Sequence, residues 1–565
     1  MNQITIPIAV QGSTKQRKRE APKGRRVDPA ALVEIQQLLG NESRQPDLLI
    51  EHLHKVQDHF GSLSARHLAA LAQEMRMAQA AVYEVATFYH HFDVVKEGED
   101  APVALTVRVC DGLSCEMAGA RDLLARLPEL LGKDVRVIAA PCIGRCEQAP
   151  AALVGQNAVP FATCEAIADK VDAKAVAPVP ETYVDYDAYV AGGGYVLLQD
   201  CISGKRDAEA LIAIMESSGL RGLGGAGFPT GRKWRIVRAE AGPRLMAVNL
   251  DEGEPGTFKD RVYLERDPHR FLEGMLIAAS VVGIETIYVY LRDEYHSCRV
   301  MLERELEKLN ANPPIGAMPE IILRRGAGAY ICGEESAMIE SIEGKRGMPR
   351  LRPPYVAQVG LFGRPTLEHN FETLHWIRDI VEKGAAWFSG HGRNGRKGLR
   401  SFSVSGRVRE PGVKLAPAGI TIQELIDEHC GGMLEGQQFY GYLPGGASGG
   451  ILPASMNAIP LDFDTLQPYG CFIGSAAVVI LSDRDSAVGA ARNTMNFFQH
   501  ESCGQCTPCR VGTAKASALI AKEQWDTGLL AELSQAMRDA SICGLGQAAP
   551  NPVDCVIKYF PHELG

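Results

Sequence analysis

Three closely spaced cysteines lie near the end of the 565-residue chain, in the segment ESCGQCTPCR. The spacing Cys503-x2-Cys506-x2-Cys509 is typical of thiolates that bind a 4Fe-4S cluster, which needs four ligands. No fourth cysteine follows at the short spacing of such motifs. We expect the fourth ligand to be Cys543 rather than Cys555, because glycines near Cys543 allow its backbone to approach a cluster closely.

Two further cysteine pairs, Cys110-x4-Cys115 and Cys142-x3-Cys146, are separated by 26 residues. Each pair begins where a predicted strand ends, so two adjacent loops could present four thiolates to one site. Zinc and iron–sulfur clusters both accept four thiolates, although C-x2-C is the commoner zinc spacing. We predict metal or cluster binding rather than four unrelated buried thiols. The other cysteines are irregularly spaced among mostly apolar neighbours and are predicted core residues: Cys164, Cys201, Cys298, Cys332, Cys430, Cys471 and Cys555.

A glycine-rich segment at residues 222–227 satisfies the dinucleotide pattern G-x-G-x-x-G. Its surroundings do not fit that pattern, because a helical pattern at 208–215 precedes it and residues 228–231 follow where a helix should begin. The loop still allows backbone N–H groups to approach a phosphate or a planar ring, and Lys233 could balance phosphate charge. A flexible surface turn is the alternative for this loop taken alone.

Two acidic loops accompany the glycine-rich segment. A predicted strand at 245–249 leads into DEGEPGT at 251–257, and a second glycine-rich loop at 326–333 ends in two glutamates. These carboxylates could accept hydrogen bonds from ribityl or ribose hydroxyls, or they could bind a divalent metal. The neighbouring lysine and glycines favour a nucleotide. The five acidic residues are Asp251, Glu252, Glu254, Glu334 and Glu335.

The composition is that of a globular protein, with 46% hydrophobic residues, 22% charged residues and a net charge of −9. These values exclude a wholly disordered chain and a generic nucleic-acid-binding protein. No apolar run reaches the ~18 residues of a membrane-spanning helix. The apolar stretch at 4–10 contains Pro7, and no basic residue precedes it. Both features argue against a secretory signal. We therefore expect a cytoplasmic protein with reduced cysteines.

The elements that must position these residues fall into four predicted domains. Residues 1–27 are predicted to be a disordered basic tail, with a docking arm or targeting segment as the alternative. Residues 28–171 show helical patterns, including one at 80–92, and then strands at 105–110 and 135–139 around a helical stretch at 118–131. Residues 172–194, with two prolines near the start, three glycines at the end and no apolar periodicity, are a predicted linker.

The second half of the chain has three further patterns. Residues 195–398 alternate strands and helices, as in an α/β layer. Residues 399–484 have short strands, glycine and proline turns and one helix at 422–429, which predicts a small α+β module. Residues 485–565 are almost wholly helical in pattern.

Several segments together resemble the flavin-bearing, NADH-binding subunit of respiratory complex I and its relatives in NAD-linked formate dehydrogenases and NAD-reducing hydrogenases. They are RGLGGAGFPTGRKW, DEGEPGTFKD, GAGAYICGEES, RPPY, GRPTLEHNFET and ESCGQCTPCR, within about residues 192–560. The first domain, with ATFYHHF and the two cysteine pairs, resembles the thioredoxin-like 2Fe-2S subunit of the same assemblies. The combination in one chain resembles the fused beta subunits of molybdenum- or tungsten-dependent, NAD-linked formate dehydrogenases.

The resemblance implies a multidomain α/β and α+β fold. The N-terminal domain would be helical and thioredoxin-like, followed by a Rossmann-like FMN- and NAD-binding domain, a small ubiquitin-like (β-grasp) domain and a C-terminal helical bundle. It implies a diaphorase that passes electrons between iron–sulfur clusters and NAD through FMN. The implied partner is a molybdopterin- or tungstopterin-bearing alpha subunit with further clusters; no nucleic acid and no membrane insertion are implied.

The resemblance also implies roles for particular residues. FMN would lie on the first glycine-rich loop, with polar groups around it: Gly222, Gly224, Gly225, Lys233, Asn249, Asp251, Glu252, Gly333, Glu334, Glu335 and Asn370. NAD would stack over the flavin, with Phe228 and Tyr355 at the adenine, Arg352 near the phosphates, and Glu254 near the hydroxyls or the nicotinamide as the candidate catalytic residue. A 4Fe-4S cluster would be held by Cys503, Cys506, Cys509 and Cys543, and a 2Fe-2S cluster by Cys110, Cys115, Cys142 and Cys146.

Several positions depart from the complex I pattern. Leu250 replaces a small residue, Ile236 replaces a third aromatic that helps to hold adenine, Arg352 replaces a common lysine, and His369 replaces an asparagine before Asn370. The gap of 26 residues between the cysteine pairs is shorter than in complex I, which favours the soluble dehydrogenase branch. The alternatives are a diaphorase subunit of an NAD-reducing hydrogenase or complex I-like dehydrogenase, and a non-catalytic electron-wiring subunit with a vestigial nucleotide site.

Overall fold

The computed structural model describes residues 24–564. Residues 1–23, which make up most of the predicted basic tail, lie outside the described residues. Within 24–564, no helix combines the length and apolar character needed to cross a membrane.

The first domain begins with a group of helices and continues as a small mixed sheet. Its elements are α1 (Pro29–Leu39), α2 (Leu49–Phe60), β1 (Leu63–Ser64), α3 (Ala65–Glu74), α4 (Gln79–Ala86), β2 (Val94–Val95), β3 (Leu105–Cys110), α5 (Leu113–Met117), α6 (Ala120–Leu131), β4 (Val135–Ala140), β5 (Ala152–Val154), β6 (Asn157–Val159) and α7 (Cys164–Asp172). The sheet order is β4-β3-β5-β6, with β3 and β4 parallel and the other pairs antiparallel. The two predicted strands are therefore confirmed, and both end at the cysteine loops.

The predicted helix at 80–92 is too long, because α4 ends at Ala86. Tyr89, in the turn that follows, is buried and donates its hydroxyl hydrogen bond to the backbone oxygen of Lys345 at 2.7 Å. Tertiary contacts with the second domain thus override the helical pattern of this segment.

The predicted linker at 172–194 is not irregular throughout, because its second half forms α8 (Tyr186–Ala191), capped by the carboxylate of Asp185. Glu305 is fully buried beneath it and accepts hydrogen bonds from the Tyr183 hydroxyl at 2.7 Å and the Tyr186 backbone at 2.9 Å. Polar contacts and the buried rings of Tyr186 and Tyr189, rather than an aliphatic stripe, attach this segment to the second domain. Hydrophobic periodicity for this reason did not predict the helix.

The second domain is built on a wholly parallel sheet with the order β10-β7-β8-β9. Because the strands are parallel, their carboxyl ends meet at one edge, where ligands bind in open α/β sheets. The elements are α9 (Val196–Ile202), α10 (Ala208–Ser218), α11 (Thr230–Ala239), β7 (Arg244–Leu250), α12 (Lys259–Arg266), α13 (Pro268–Val282), β8 (Ile284–Leu291), α14 (His296–Ala311), β9 (Glu320–Arg325), α15 (Glu335–Ile342), β10 (Thr366–Asn370), α16 (Phe371–Lys383) and α17 (Ala385–Ser389).

A five-stranded sheet and a helical region complete the molecule. The sheet has the order β12-β11-β15-β13-β14 and carries one longer helix, which begins with a capping box between Thr421 and Glu424. The elements are β11 (Leu399–Gly406), β12 (Gly412–Pro417), α18 (Ile422–His429), β13 (Phe439–Leu443), β14 (Leu452–Pro453), β15 (Ala477–Ser482), α19 (Ala487–Glu501), α20 (Thr507–Ile520), α21 (Thr527–Ala540), α22 (Gly544–Ala548) and α23 (Asn551–Tyr559). The predicted helix at 422–429 and the helical C-terminal section are confirmed.

The hydrophobic cores cross the predicted domain boundaries. One core joins the second-domain sheet to the five-stranded sheet and extends to Val553 and Phe560 near the C-terminus. A second core packs Tyr89 and Phe92 of the first domain against Met338 of the second. The C-terminal cysteines pack in the second of these cores, whereas the first-domain cysteines lie in two smaller, separate cores.

Replacement of Glu305 tests how the segment around α8 is attached. In Glu305→Ala, the Tyr183 hydroxyl and the Tyr186 N–H lose their buried acceptor, and we expect the free energy of unfolding to fall by about 3 kcal/mol. Urea denaturation followed by tryptophan fluorescence measures this change. Glu303→Ala, on the same helix but half-exposed, should change it by less than about 0.5 kcal/mol. Equal unfolding midpoints for the two variants would show that Glu305 does not anchor the segment.

Candidate functional site

Two asparagines mark the carboxyl edge of the parallel sheet. Asn249 near the end of β7 and Asn370 at the end of β10 are paired in register. The Asn249 Nδ2 donates to the backbone oxygen of Gly333 at 2.9 Å, and the Asn370 Nδ2 donates to Asp260 Oδ2 at 2.7 Å. Both side-chain amides are therefore held in fixed orientations beside the loops that follow the strands.

A cavity of about 1080 Å³ opens at this edge. All of the residues predicted from the sequence to bind FMN or NAD line it: Gly222, Gly224, Gly225, Phe228, Lys233, Asn249, Asp251, Glu252, Glu254, Gly333, Glu334, Glu335, Arg352, Tyr355 and Asn370. The cavity is large enough for a stacked pair of nucleotides, because typical ligand pockets span about 300–1000 Å³.

The glycine-rich loop leaves no room for side chains on the cavity wall. A Cβ at Gly224 would lie 2.9 Å from the Cβ of Asn370, and Gly225 has a φ of +132° that other residues rarely adopt. Helix α11 begins only three residues after the loop, at Thr230. The expectation from the sequence that no helix begins after this loop is therefore wrong. Pro229, which directly precedes the helix, obscured its start. The bare backbone at this wall fits a phosphate or a planar ring.

The two carboxylates that follow β7 have different environments. Glu252 accepts hydrogen bonds from the backbone N–H groups of Asp260 and Arg261, at 2.9 and 3.1 Å, and from the Tyr295 hydroxyl at 2.8 Å. Its oxygens are thus occupied in shaping the loop. Asp251 Oδ2 is buried without a hydrogen-bond partner, and burial raises the pKa of Asp251 well above its usual range. An orphaned buried oxygen facing a cavity fits a ligand that donates hydrogen bonds.

Glu254, the candidate catalytic residue, is held between two domains. Its Oε1 accepts the Ser448 backbone N–H at 2.7 Å and the Ser448 hydroxyl at 2.6 Å, and its Oε2 accepts the Tyr330 hydroxyl. Burial raises the pKa of this carboxyl group. Sequence reasoning did not find Ser448 or Tyr330 as site residues; the tyrosine in GAGAYIC was the available signal for the second.

Two cations of the cavity, Lys233 and Arg352, are paired with carboxylates. Lys233 Nζ donates to the backbone oxygen of Glu368 at 2.9 Å and to its carboxylate at 3.1 Å. Arg352 contacts Glu334 and lies 2.8 Å from Glu335. Burial raises the pKa of Glu335, and the Glu368 carboxylate nearby raises it further. Both cations line the cavity. A phosphate group would have to compete with these carboxylates in order to bind either of them.

Lys259 and Asp260 form a buried pair beneath the cavity that the sequence reasoning missed. The Lys259 Nζ lies 2.6 Å from Asp260 Oδ1 and 3.2 Å from Glu372 Oε2. Burial raises the pKa of Asp260 to about 7 even though Lys259 opposes this change. Because Asp260 orients the amide of Asn370, this pair positions one wall of the cavity. The signal was the charged dipeptide that ends DEGEPGTFKD and begins α12.

The predicted adenine-binding side chains lie at the cavity mouth. Phe228 is 38% exposed and Tyr355 is 58% exposed, which leaves their faces accessible to a planar base. The Arg232 guanidinium lies 5.6 Å from the centroid of the Phe228 ring, and Ile236 also lines this part of the cavity. Of these four residues only Phe228 and Tyr355 are aromatic. A base bound at the mouth could therefore stack on at most two of these side chains.

Two other departures from the complex I pattern have structural partners. His369 is buried, and its Nε2 accepts the Trp234 indole N–H at 2.9 Å. Burial lowers the pKa of His369 well below its usual range, so the ring is neutral. Leu250 is fully buried in the core. These residues are accommodated by packing and do not obstruct the cavity.

The C-terminal cysteine triplet lies where α19 ends and α20 begins, with Cys509 in the first turn of α20. A Cβ at Gly546 would lie 2.8 Å from the Cβ of Cys509, so helix α22, which begins directly after Cys543, packs on the triplet. Burial raises the pKa of Cys543 to about 12, and the neighbouring Cys503 thiol contributes to this rise. The structure therefore brings the four predicted ligands together.

Cys555 does not join this group. Its sulfur lies 3.5 Å from that of Cys471, in a separate buried position. The preference for Cys543 as the fourth thiol thus agrees with the geometry.

The first-domain cysteines also converge. The sulfurs of Cys142 and Cys146 lie 3.3 Å apart, and a Cβ at Gly112 would lie 3.6 Å from the Cys110 sulfur and 3.4 Å from the Cys142 Cβ. Hydrogen bonds from the thiols of Cys110 and Cys146 lower the pKa of Cys142. All four predicted thiols, Cys115 included, are buried, which would limit the access of water to a cluster held there.

Two buried arginines fix the loop at Cys142 against the second domain. Arg292 Nη2 donates to the backbone oxygen of Cys142 at 2.7 Å, and its Nη1 donates to the backbone oxygen of Glu252 at 2.5 Å. Arg261 Nε donates to the backbone oxygen of Gly144 at 2.8 Å. One guanidinium therefore spans from the first-domain cysteine loop to an acidic loop of the cavity.

The cavity reaches towards both cysteine sites. Gly544 and Leu545, which follow Cys543, line it on one side. On another side, a backbone hydrogen bond from Gly256 in the DEGEPGT loop helps to lower the pKa of Cys142. A group bound in the cavity would thus lie beside the residues that follow Cys543, and the DEGEPGT loop would connect it to Cys142.

Family models match most of the chain. A model of the Nuo51 FMN-binding domain matches residues 215–379, and one of the NADH-ubiquinone oxidoreductase-F iron–sulfur binding region matches 489–565. A thioredoxin-like [2Fe-2S] ferredoxin model matches 35–174, and an SLBB domain model matches 401–452. The predicted FMN, 4Fe-4S and 2Fe-2S cofactors and the thioredoxin-like first domain are confirmed. The ubiquitin-like assignment of 399–484 stays a prediction.

Curated relatives match about two thirds of the chain. An NADH-quinone oxidoreductase subunit of Rhizobium meliloti is 41% identical over 400 residues, covering 68% of this chain and 94% of the relative. The mitochondrial NADH dehydrogenase (ubiquinone) flavoprotein 1 of Dictyostelium discoideum is 38% identical over 405 residues, covering 68% and 84%. Among solved structures, a chain of an NAD+-reducing [NiFe]-hydrogenase in the H2-reduced state aligns with a TM-score of 0.81 and 32% identity, covering 92% of this chain and 93% of that chain.

A larger residue in the glycine-rich loop tests whether this wall holds the flavin. Gly224→Val places its side chain against Asn370, and overpacking that distorts this wall costs about 1–3 kcal/mol, which corresponds to a loss of FMN affinity of about 5- to 160-fold. Fluorescence of FMN released from purified protein, and titration of stripped protein with FMN, measure the change. Gly316→Ala, which meets no atom within 4 Å, is the matched control. Unchanged FMN affinity in Gly224→Val would place the flavin elsewhere.

Proposed function

Because this chain belongs to the family of the 51 kDa, NADH-binding FMN and iron–sulfur subunits of complex I-like dehydrogenases, we propose that it is the diaphorase subunit of an NAD-linked formate dehydrogenase. The observation that carries the diaphorase role is the cavity lined jointly by the glycine-rich loop, the acidic loops and the residues after Cys543. A nucleotide in that cavity would lie beside residues that follow Cys543, one of the cysteines that would hold the electron-accepting 4Fe-4S cluster.

The flavin would rest on the side-chain-free wall at Gly222, Gly224 and Gly225. The unpaired Asp251 oxygen and the fixed amides of Asn249 and Asn370 are suited to its hydroxyls and ring edge. When bound, FMN supplies an acceptor for two electrons from NADH that can be released singly to clusters. The protein contributes orientation and exclusion of water.

The nicotinamide nucleotide would enter from the mouth between Phe228 and Tyr355, with Arg352 near its phosphates. Glu254 would contact the ribose hydroxyls or the nicotinamide, since it lies deep in the cavity and is fixed by Ser448 and Tyr330. Its role is to hold the ring at the correct distance from the flavin. Hydride transfer of this kind requires no nucleophile and no general base from the chain.

Formate is proposed as the source of the electrons because the motifs along residues 192–560, together with the fused first domain, resemble the beta subunits of formate dehydrogenases. A separate molybdopterin- or tungstopterin-bearing subunit would oxidise formate. The second candidate is an NAD-reducing hydrogenase, favoured by the likeness across 92% of this chain to the solved hydrogenase chain. The nucleotide chemistry of this chain is the same in both.

The diaphorase role predicts that the purified chain, loaded with FMN and clusters, oxidises NADH with an artificial one-electron acceptor. In Tyr355→Ala, loss of base stacking costs about 1–3 kcal/mol, so the KM for NADH should rise about tenfold with little change in kcat. Leu351→Ala, a neighbouring residue that is 70% exposed, should leave both constants unchanged. Absence of NADH oxidation by the loaded wild-type chain overturns the proposal.

The donor is tested separately with the native assembly. The complex purified through a tag on this chain should reduce NAD+ with formate and contain molybdenum or tungsten. Reduction of NAD+ with hydrogen and a nickel-bearing partner would establish the second candidate instead. Neither result alters the test of the nucleotide site.

A further inference from the structure

Two histidines and a glutamate from distant parts of the chain meet outside the nucleotide cavity. His90 follows α4 in the first domain, whereas His500 and Glu501 end α19. One ligand atom from each side chain lies within 4.8 Å of the others. The group therefore spans the contact between the first domain and the C-terminal helices.

The distances within this group are compatible with a shared cation, and one of them is also that of a hydrogen bond between His500 and Glu501. His500 Nδ1 lies 3.2 Å and His90 Nδ1 lies 3.8 Å from the same oxygen, Glu501 Oε1. The longer distance exceeds that of a hydrogen bond. Two ligands of one tetrahedral zinc ion lie about 3.4 Å apart, because zinc bonds to nitrogen and oxygen are about 2.0–2.1 Å long. The observed separations of 3.2 Å and 3.8 Å fall on either side of this ligand-to-ligand distance.

The carboxylate is oriented by the surrounding protein. Glu501 is buried, and its Oε2 accepts the backbone N–H of Tyr330 at 2.9 Å. This contact leaves Oε1 directed at both imidazoles, as outer hydrogen bonds do for the ligands of known metal sites. The side chains of His90 and His500 are 38% and 50% exposed, so an ion can enter from solvent and water can complete its coordination.

We propose that His90, His500 and Glu501 bind one divalent cation of the zinc class, and that this ion links the first domain to the C-terminal helices. Two imidazole nitrogens and one carboxylate oxygen are a common zinc ligand set that leaves one position open. The same Tyr330 that contacts Glu501 also donates its hydroxyl to Glu254. Metal binding would thus stiffen a segment that reaches the nucleotide cavity. The proposal does not depend on which donor the complex uses.

The site is tested by calorimetric titration with zinc chloride. The chain used carries its iron–sulfur clusters and has been freed of other bound metal ions. Wild-type protein should bind one zinc ion per chain with high affinity. His90→Gln and His500→Gln should each weaken binding about a hundredfold or more, since even outer-shell changes in metal sites cost ~10–100-fold. His59→Gln, which removes another exposed histidine of the first domain, should leave binding unchanged. Glu501 is not replaced, because its loss would also free the Tyr330 backbone.

Two further measurements separate this site from the cysteines. The zinc K-edge absorption spectrum should show nitrogen and oxygen neighbours, including imidazole, and no sulfur. The cluster signals in electron paramagnetic resonance should be the same in all variants, which shows that the fold is retained. Zinc bound to sulfur, no binding to wild-type protein, or equal affinity in wild type and both variants would each overturn the proposal.

Discussion

The buried guanidinium of Arg292 joins the first domain to the second. It donates to backbone oxygens of Cys142, in the first-domain cysteine loop, and of Glu252, in the wall of the nucleotide cavity. The Glu294 carboxylate, 2.8 Å away, balances its charge. Because a hydrogen bond from a charged donor contributes about 1.5–3 kcal/mol, a shift of the cysteine loop away from the cavity wall would lower the stability of the protein. Arg261 restrains the same loop at Gly144.

The nucleotide cavity is likewise formed by residues of several domains. Strand ends and the glycine-rich loop supply its floor, Ser448 fixes Glu254 from the five-stranded module, and Leu545 closes it from the helical region. Shared apolar cores hold these parts in register. A flavin in such a cavity would lie beside the residues that follow Cys543, so positioning rather than acid–base chemistry would be the main contribution of the protein.

The sequence predicted features that depend on local spacing and missed those assembled from distant residues. Cysteine spacing predicted both thiol sets, and a local helical pattern predicted the helix at 422–429, because each signal lies within a short segment. Helix α8 was missed because the buried carboxylate of Glu305 that holds it lies on another helix. Likewise, Ser448 and the group of His90 and Glu501 acquire their partners only through tertiary packing.

We expect electrons from NADH to reach the C-terminal cluster only through a flavin in this cavity. Anaerobic mixing of NADH with the cluster-loaded chain, followed by freeze-quenching and electron paramagnetic resonance of the reduced 4Fe-4S cluster, tests this with and without FMN. The reduced-cluster signal should form in FMN-loaded protein and should be absent from FMN-depleted protein. Equal signals in both samples, or no signal in the loaded one, would contradict this expectation.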